Sequence, residues 1–213
     1  MLTKKQLEIF GIFAKNVFAE YTFQDIKKKL QLQSHSLLQS TVKVCLLHSL
    51  LKVRTIGYMK LYRLNWQNPI VFTYLELHAQ SKLPKFASLS LQEVLHSLPS
   101  HVSFFVVLLF GSYAKGSFTP TSDLDIAIIV PSQENVSGAR IALQSASNRV
   151  PLKIDYHIIT EEELREMLSV SYDNLGKQLV SENLPIFSSA IFYNIVFTTQ
   201  INGKKTPFRT SGE

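Results

Sequence analysis

The stretch Leu108–Val130, LLFGSYAKGSFTPTSDLDIAIIV, decides the fold of this 213-residue chain. It holds an apolar run, the pair Gly111-Ser112, ten further residues, Asp123-Leu124-Asp125 and a second apolar run. The runs 104–110 and 126–130 are rich in Val, Ile and Phe and are bounded by Gly, Ser and Pro. Short runs of this composition predict two strands that are buried on both faces.

The two aspartates at the entry to the second run point to a metal site. Strand residues two apart project from the same face, so Asp123 and Asp125 lie with their Cα atoms ~7 Å apart. Two carboxylates this close repel each other unless a cation lies between them. Mg²⁺ is the economical partner, because it binds one or two carboxylates and completes its shell with water and substrate phosphate oxygens.

The pair Gly111-Ser112 supplies groups that suit a phosphate. Glycine lets the backbone turn and approach a ligand, while Ser112 offers a hydroxyl and an N–H. A short helix opening at 113–116 would point its free N–H groups at the same anion. The pattern predicts phosphoryl or nucleotidyl transfer. The alternative is a glycine turn before an Asp-rich strand entry, with Ser122 and Asp123 only ending the loop.

The residues GSYAKG and SDLD resemble the signature of the DNA polymerase beta-type nucleotidyltransferase superfamily, most closely its minimal nucleotidyltransferase branch. The resemblance covers about residues 90–195 and implies an α/β (α+β) domain whose mixed sheet is flanked by helices. It also implies two Mg²⁺ ions on the aspartates and an NTP as substrate. Lys115 stands where the family motif has Arg, which keeps the charge but loses the bidentate fork. The expected nucleotide-binding set is Gly111, Ser112, Lys115 and Ser122.

The segment VPLKIDYHII, residues 150–159, predicts a later strand with a charge at its centre. Burying Asp155 there is costly unless it is paired or binds a metal. The resemblance implies that Asp155 is the third carboxylate, which shares the catalytic metal with Asp123 and Asp125 and accepts a proton. The alternative is an exposed Asp on an edge strand. His157 shares the face of Asp155, and its participation is left open.

The first third of the chain predicts a separate module. Helix caps stand at Thr3, Thr22 and Ser34, and the strands Leu51–Thr55 and Tyr58–Asn65 form a hairpin. Three helices followed by a basic hairpin resemble a winged helix-turn-helix domain, over about residues 3–66. Residues 1–66 hold eleven Lys and Arg against three Asp and Glu, a net +8, whereas residues 67–213 hold eleven against thirteen, a net −2.

This uneven charge predicts that the first module binds a polyanion, and double-stranded DNA is the expected partner. The third helix would face the major groove, and the hairpin would reach phosphates or the minor groove. The alternative is a dimerisation or protein-docking module. The expected DNA-binding residues are Ser36, Gln39, Ser40 and Lys43 on the helix, with Arg54 and Lys60 on the hairpin.

The resulting organisation is a winged helix domain at 1–66, a linker with a connecting helix at 67–88, a nucleotidyltransferase domain at 89–200 and a loose tail at 201–213. The single cysteine, Cys45, fits a reducing compartment and excludes a disulfide framework within the chain. No apolar run approaches the ~20 residues that span a bilayer, and no signal peptide is evident. We therefore expect a cytoplasmic protein with no membrane association.

Three functions are compatible with these features. The first is an enzyme of the EC 2.7.7 type that transfers an NMP from an NTP, with ATP expected, to a hydroxyl acceptor. Small members of the superfamily often act as antitoxins, so a partner toxin or other protein is the first acceptor, with RNA ends and small molecules as alternatives. The second is a DNA-binding transcriptional regulator whose nucleotidyltransferase fold senses nucleotide or is inactive. The third is an enzyme that modifies a small molecule, as the aminoglycoside nucleotidyltransferases do. A winged helix that reads palindromic sites would imply a homodimer.

Overall fold

The computed structural model describes residues 1–202, with the side chains of residues 1–199. It divides into two compact units, Met1–His78 and Ala79–Glu213. The division falls within a helix, Ile70–Ser81, inside the predicted connection at 67–88. Each unit is described by itself below.

The first unit contains three α-helices, a 3-10 turn at Gly11–Ala14, a small antiparallel sheet and the first part of the helix Ile70–Ser81. The helices are α1 (Lys4–Phe10), α2 (Phe23–Lys29) and α3 (His35–Leu47); the strands are β1 (Tyr21–Thr22), β2 (Leu51–Ile56) and β3 (Met59–Leu64). The strand order is β1-β3-β2, with β2 and β3 joined as a hairpin. The predicted helices and hairpin are confirmed. The two-residue strand β1 carries no sequence signal of its own, because it is defined by its pairing with β3.

Short-range capping explains where these helices begin. Thr3 and Thr22 each close a capping box with the residue three positions on, Gln6 and Asp25, and the Ser34 hydroxyl accepts from the backbone N–H of Leu37. Inside the unit Cys45 is buried, and this burial raises the pKa of its thiol to about 12. The thiol is therefore protonated near neutral pH and acts as a small apolar side chain.

The chain continues through α4 (Ile70–Ser81) and α5 (Lys85–Ser97) into the second unit. After a 3-10 turn at Leu98–Ser100, the remaining elements are four strands separated by helices, with two successive helices between the third and the fourth strand. They are β4 (Val106–Leu109), α6 (Gly111–Lys115), β5 (Leu124–Val130), α7 (Glu134–Ser147), β6 (Ile154–Thr160), α8 (Glu161–Ser169), α9 (Leu175–Ser181), β7 (Leu184–Phe187) and α10 (Ser189–Asn202).

These strands form a mixed four-stranded sheet in the order β6-β5-β4-β7. β5 and β6 are parallel, whereas β4 is antiparallel to both β5 and β7. As predicted, β4 and β5 are buried along almost their whole length. The even-numbered residues of β5 join α5 and α7 in one apolar cluster, while α10 packs on β4 and α8 contacts β5 and β6. The predicted mixed sheet with flanking helices is therefore present.

The last described helix extends into the predicted tail. α10 reaches Asn202, so residues 201–202 are helical, and the rest of the predicted tail, 203–213, lies outside the described residues. No helix among residues 1–202 combines the length and the apolar character needed to cross a bilayer.

Candidate active site

Three predicted carboxylates meet at one end of the mixed sheet. Asp123 immediately precedes β5, and Asp125 is the second residue of that strand. In the parallel pairing of β5 with β6, Asp125 lies opposite Asp155. Neighbouring strands are ~4.8 Å apart and register partners point the same way, so the two carboxylates extend from one face.

The face is fixed by the apolar packing of β5. Leu124, Ile126 and Ile128 point into the cluster with α5 and α7. Because side chains alternate along a strand, Asp125 points to the opposite face, where it is only partly buried. A register slip of one residue would place these carboxylates in the apolar cluster, so the hydrophobic pattern itself positions them.

The loop after β4 brings Gly111 against this carboxylate. Gly111 begins α6 with a φ of +64°, and a Cβ at this position would overlap the Oδ2 atom of Asp125. The backbone N–H of Ser112 donates a hydrogen bond to the Asp125 carboxylate. The predicted phosphate-binding N–H of Ser112 therefore already donates to an aspartate, while the Ser112 hydroxyl has no hydrogen-bond partner among the described residues.

The surroundings of Asp125 raise the pKa of its carboxyl group. Burial and the nearby Asp155 carboxylate raise its pKa, and Asp123 acts in the same direction. The Ser112 N–H and His157 lower the pKa and only partly offset this. A cation bound beside Asp125 would reduce the repulsion between these carboxylates.

Lys153 is a site residue that the sequence analysis did not identify. Its ammonium forms an ion pair with the Oδ2 of Asp123, and this hydrogen bond raises the pKa of Lys153. The negative charges of Asp155 and Asp125 also raise the pKa of Lys153. The available signal was its place two residues before Asp155, because alternate residues at the entry to a strand share a face.

As placed, no three His, Cys, Asp or Glu side chains in the described part of the chain could hold a metal ion together. Asp123 is instead paired with Lys153. The donor chemistry nevertheless fits a divalent cation, because Mg²⁺ is held by one or two carboxylates plus substrate phosphates rather than by a closed protein cage. Asp125 and Asp155, in register on adjacent strands, provide two such carboxylates.

A second residue that the sequence analysis missed is Tyr113. It is buried in α6, and its ring stacks on Phe118 with centroids 4.6 Å apart. Its hydroxyl is buried without a hydrogen-bond partner in the described residues. Burial and the charge of Asp125 raise the pKa of Tyr113, so the hydroxyl remains a neutral donor beside the carboxylate cluster.

The other predicted nucleotide-binding residues have partners within the protein. The Nζ of Lys115 lies 3.2 Å from the Oε2 of Glu182 in an exposed ion pair. The Ser122 hydroxyl accepts from the backbone N–H of Thr119 at 2.8 Å and so closes the loop before β5. His157 is exposed on β6, 5.8 Å from the ring of Phe110 between centroids.

The predicted DNA-binding residues lie on the first unit and are all exposed. Four are on α3 and two are on the hairpin: Ser36, Gln39, Ser40, Lys43, Arg54 and Lys60. Arg54 forms an ion pair with Glu20, and its Nε donates to the Oε2 of that carboxylate at 2.7 Å. Part of the predicted positive charge of the hairpin is therefore neutralised within the unit.

Comparison with known proteins gives one family match. Residues 91–180 match the family model described as "Nucleotidyltransferase domain". This segment contains the Gly111-Ser112 turn and all three aspartates, and the match supports a transferase of that type. No curated protein and no solved structure matches the chain significantly. The family match does not extend to the first unit.

Proposed function

We propose that the chain is a divalent-metal-dependent nucleotidyltransferase that moves an NMP from an NTP, with ATP expected, to a hydroxyl acceptor. One observation carries the proposal: Asp125 of β5 and Asp155 of β6 are register partners at one end of the sheet. At the same end, the backbone of Gly111 lies against the Asp125 carboxylate. Two neighbouring carboxylates on one face of a sheet repel each other and add nothing to apolar packing, whereas together they can bind a divalent cation. The family match over residues 91–180 supports the same reaction class.

Asp123, Asp125 and Asp155 would hold Mg²⁺, and two ions are expected. Bound Mg²⁺ would neutralise the triphosphate and stabilise the charge that develops on the oxygens in the transition state. Binding would require Asp123 to leave Lys153, whose released ammonium would then lie beside the anionic substrate. Lys153 and the Ser112 hydroxyl are the phosphate-binding groups that we propose from this chain, together with Gly111 as the close-approach position.

The transfer step is an in-line displacement at the α-phosphorus. The acceptor oxygen forms the new P–O bond, while the bond to the oxygen that bridges the α- and β-phosphates breaks. Its electron pair leaves with pyrophosphate, and Asp155 accepts the proton of the attacking hydroxyl. Gly111 and the Ser112 N–H fix Asp125, so that the carboxylate needs no reorientation during the step.

A partner protein, such as a toxin, is the acceptor that we propose first. Asp155 is exposed on β6, which is an edge strand of the sheet. An acceptor group on a large molecule can therefore reach this carboxylate without entering a closed pocket. RNA ends and small molecules remain the alternatives that the experiment below separates.

DNA binding by the first unit is the second candidate function. It is favoured by the exposure of all six predicted residues on α3 and the β2–β3 hairpin. The net charge of +8 over residues 1–66 also favours a polyanion. In this proposal the unit is a winged helix acting as a homodimer on double-stranded DNA, and the nucleotidyltransferase fold senses nucleotide or is inactive.

The test is transfer of label from α-labelled ATP, GTP, CTP and UTP to a host lysate, resolved into protein, RNA and small molecules. We expect Asp123→Asn and Asp125→Asn to lower transfer at least ~100-fold, since each removes a metal-binding carboxylate. Asp173→Asn is the matched control, because Asp173 is exposed and outside the cluster. Equal transfer by all four proteins, or none from any NTP, would overturn the enzyme proposal.

Mn²⁺ binding without nucleotide gives a readout that is independent of turnover. We expect Asp123→Asn and Asp125→Asn to weaken it, and Lys153→Ala to strengthen it several-fold, because the competing ammonium is removed. Lys85→Ala, an exposed lysine at the start of α5, is the control. Weaker Mn²⁺ binding by Lys153→Ala would contradict the competition between Lys153 and the cation.

A further inference from the structure

We propose that the first unit binds an unpaired nucleobase of a single-stranded nucleic acid, in an open groove between α3 and the start of β3. The groove has a volume of about 730 Å³. This lies within the range of ~300–1,000 Å³ that is typical of small-molecule pockets. The proposal is independent of nucleotidyl transfer, which we assign to the other unit. It is an alternative to the binding of double-stranded DNA named above as the second candidate function, because Gln39, Lys43 and Lys60 belong to both surfaces.

The lining of the groove is chiefly apolar and aromatic. Its floor and walls include Phe23, His35, Val42, Met59 and Tyr58. Phe23 and His35 already contact each other, with ring centroids 4.8 Å apart. Tyr58 lies at the turn of the hairpin and is fully exposed, so one face of its ring is free to stack on a base.

Cations lie at the edge of the same groove. Lys43 of α3 and Lys60 of β3 are among its lining residues. A second hollow of about 350 Å³ shares Gln24 with the groove and is lined by Lys27 and Lys28. An aromatic groove beside a lysine-lined hollow matches one nucleotide unit, in which the base stacks and the adjacent phosphate pairs with ammonium groups.

Duplex DNA would not fill this groove. The faces of paired bases are covered by their neighbours in the stack, so a duplex offers base edges and phosphates but no free ring face. The apolar side chain of Met59, which is 56% exposed, would then remain in contact with water. An unpaired base covers it and also places its phosphates beside the lysines.

Charge also argues against a second copy of this chain as the occupant. Residues 1–66 carry a net +8, so two such surfaces would repel each other at close range. A strand of nucleic acid carries the opposite charge along its whole backbone. We therefore commit to single-stranded nucleic acid, and the test distinguishes RNA from DNA.

The experiment measures fluorescence anisotropy of labelled 12-nucleotide oligo-dT and oligo-rU, and of a mixed-sequence 12-base-pair DNA duplex. It uses the full chain in EDTA without NTP, so nucleotidyl transfer cannot contribute. We expect a single strand to bind about ten-fold more tightly than the duplex. Tyr58→Ala should weaken that binding about ten-fold, whereas Tyr172→Ala, which removes an exposed tyrosine of the other unit, should not.

The lysine-lined hollow has its own readout in the salt dependence. Lys27→Gln with Lys28→Gln should lower the log–log salt slope by about 1.4 for a single strand. The control pair Lys4→Gln with Lys5→Gln removes the same charge from exposed positions of α1 outside both cavities. The control pair should change the salt slope less than Lys27→Gln with Lys28→Gln does.

Three outcomes would overturn the proposal. The first is duplex binding as tight as, or tighter than, that of the single strands. The second is a loss of affinity in Tyr58→Ala no larger than in Tyr172→Ala. The third is a dimer in sedimentation that Tyr58→Ala dissociates, since this would identify a second copy as the occupant of the groove.

Discussion

At the scale of single residues, Gly111 is the position where backbone and chemistry constrain each other most. Its φ of +64° favours glycine, and a Cβ there would overlap the Asp125 carboxylate. Gly116, which ends the same short helix α6, has a similar φ of +73° but open space around its missing side chain. A side chain added at either glycine would strain the backbone, but only one added at Gly111 would also displace the Asp125 carboxylate. Comparing substitutions at the two positions therefore distinguishes these effects.

We predict that Gly111→Ala lowers label transfer at least ~100-fold. The added Cβ would force the side chain of Asp125 away from that of Asp155, its register partner on β6. Gly116→Ala should destabilise the protein by about 1 kcal/mol, since alanine disfavours positive φ, while transfer is retained. The measurements are transfer and thermal denaturation of both variants. Equal loss of transfer in the two would indicate that strain in α6, rather than the contact with Asp125, is responsible.

At the scale of elements, the capping boxes decide where helices begin. In α2 the Asp25 carboxylate accepts from the backbone N–H of Thr22 at 2.8 Å and from its hydroxyl at 2.7 Å. The Thr22 hydroxyl in turn accepts from the Asp25 N–H. The hydrogen bond from the Thr22 hydroxyl lowers the pKa of Asp25 most, and the one from the Thr22 backbone N–H lowers it further. Ionised Asp25 therefore stabilises the folded state.

We predict that Thr22→Ala lowers the free energy of unfolding of the first unit by about 1 kcal/mol at pH 7. The single tryptophan, Trp66, reports on this unit, because its ring contacts those of Phe18 and Phe72. Urea unfolding followed by Trp66 emission is therefore the measurement. A loss no larger than that of Ser40→Ala, an exposed mid-helix change in α3, would contradict the capping role.

The same element has a predicted pH dependence. Because the folded pKa of Asp25 is lowered, its contribution is present above the unfolded pKa of ~3.9 and is lost as the pH falls through the folded value. The difference in unfolding free energy between wild type and Asp25→Asn should therefore be largest near pH 6 and should shrink below about pH 4. Asp173→Asn is the charge-matched control. A difference that grows on acidification would refute the argument.

At the scale of the whole molecule, charge is divided unevenly between the first third of the sequence and the remainder. The net +8 of residues 1–66 contrasts with the net −2 of residues 67–213, which contain the acidic cluster. Similar net charges on both parts would give a uniform attraction to polyanions. We expect this division to direct a polyanion to the first unit and to leave the carboxylates of the second unit for cations.

We predict that Lys27→Gln with Lys28→Gln lowers the salt concentration at which the full chain elutes from heparin by on the order of 50 mM. Lys82→Gln with Lys85→Gln removes the same charge from exposed lysines of the second unit and should lower it less. Equal shifts for the two pairs would indicate that only the total charge matters.

How much of the fold could be predicted depends on the range of the interactions. The caps at Thr3, Thr22 and Ser34 were predicted correctly because each acts over three residues. The apolar runs likewise predicted β4 and β5. The strand β1 was not predicted, because its pairing with β3, which is remote in sequence, decides it.

The sequence by itself determined that carboxylates would occur at a strand entry near a glycine turn, since two-residue alternation and glycine's freedom are local properties. Only the tertiary structure decided that Asp155 lies opposite Asp125, thirty residues away, and that Lys153 pairs with Asp123. It also decided that α3 and the hairpin enclose a groove. The physical reason is that strand register and side-chain packing fix distances between residues remote in sequence, which no local pattern encodes.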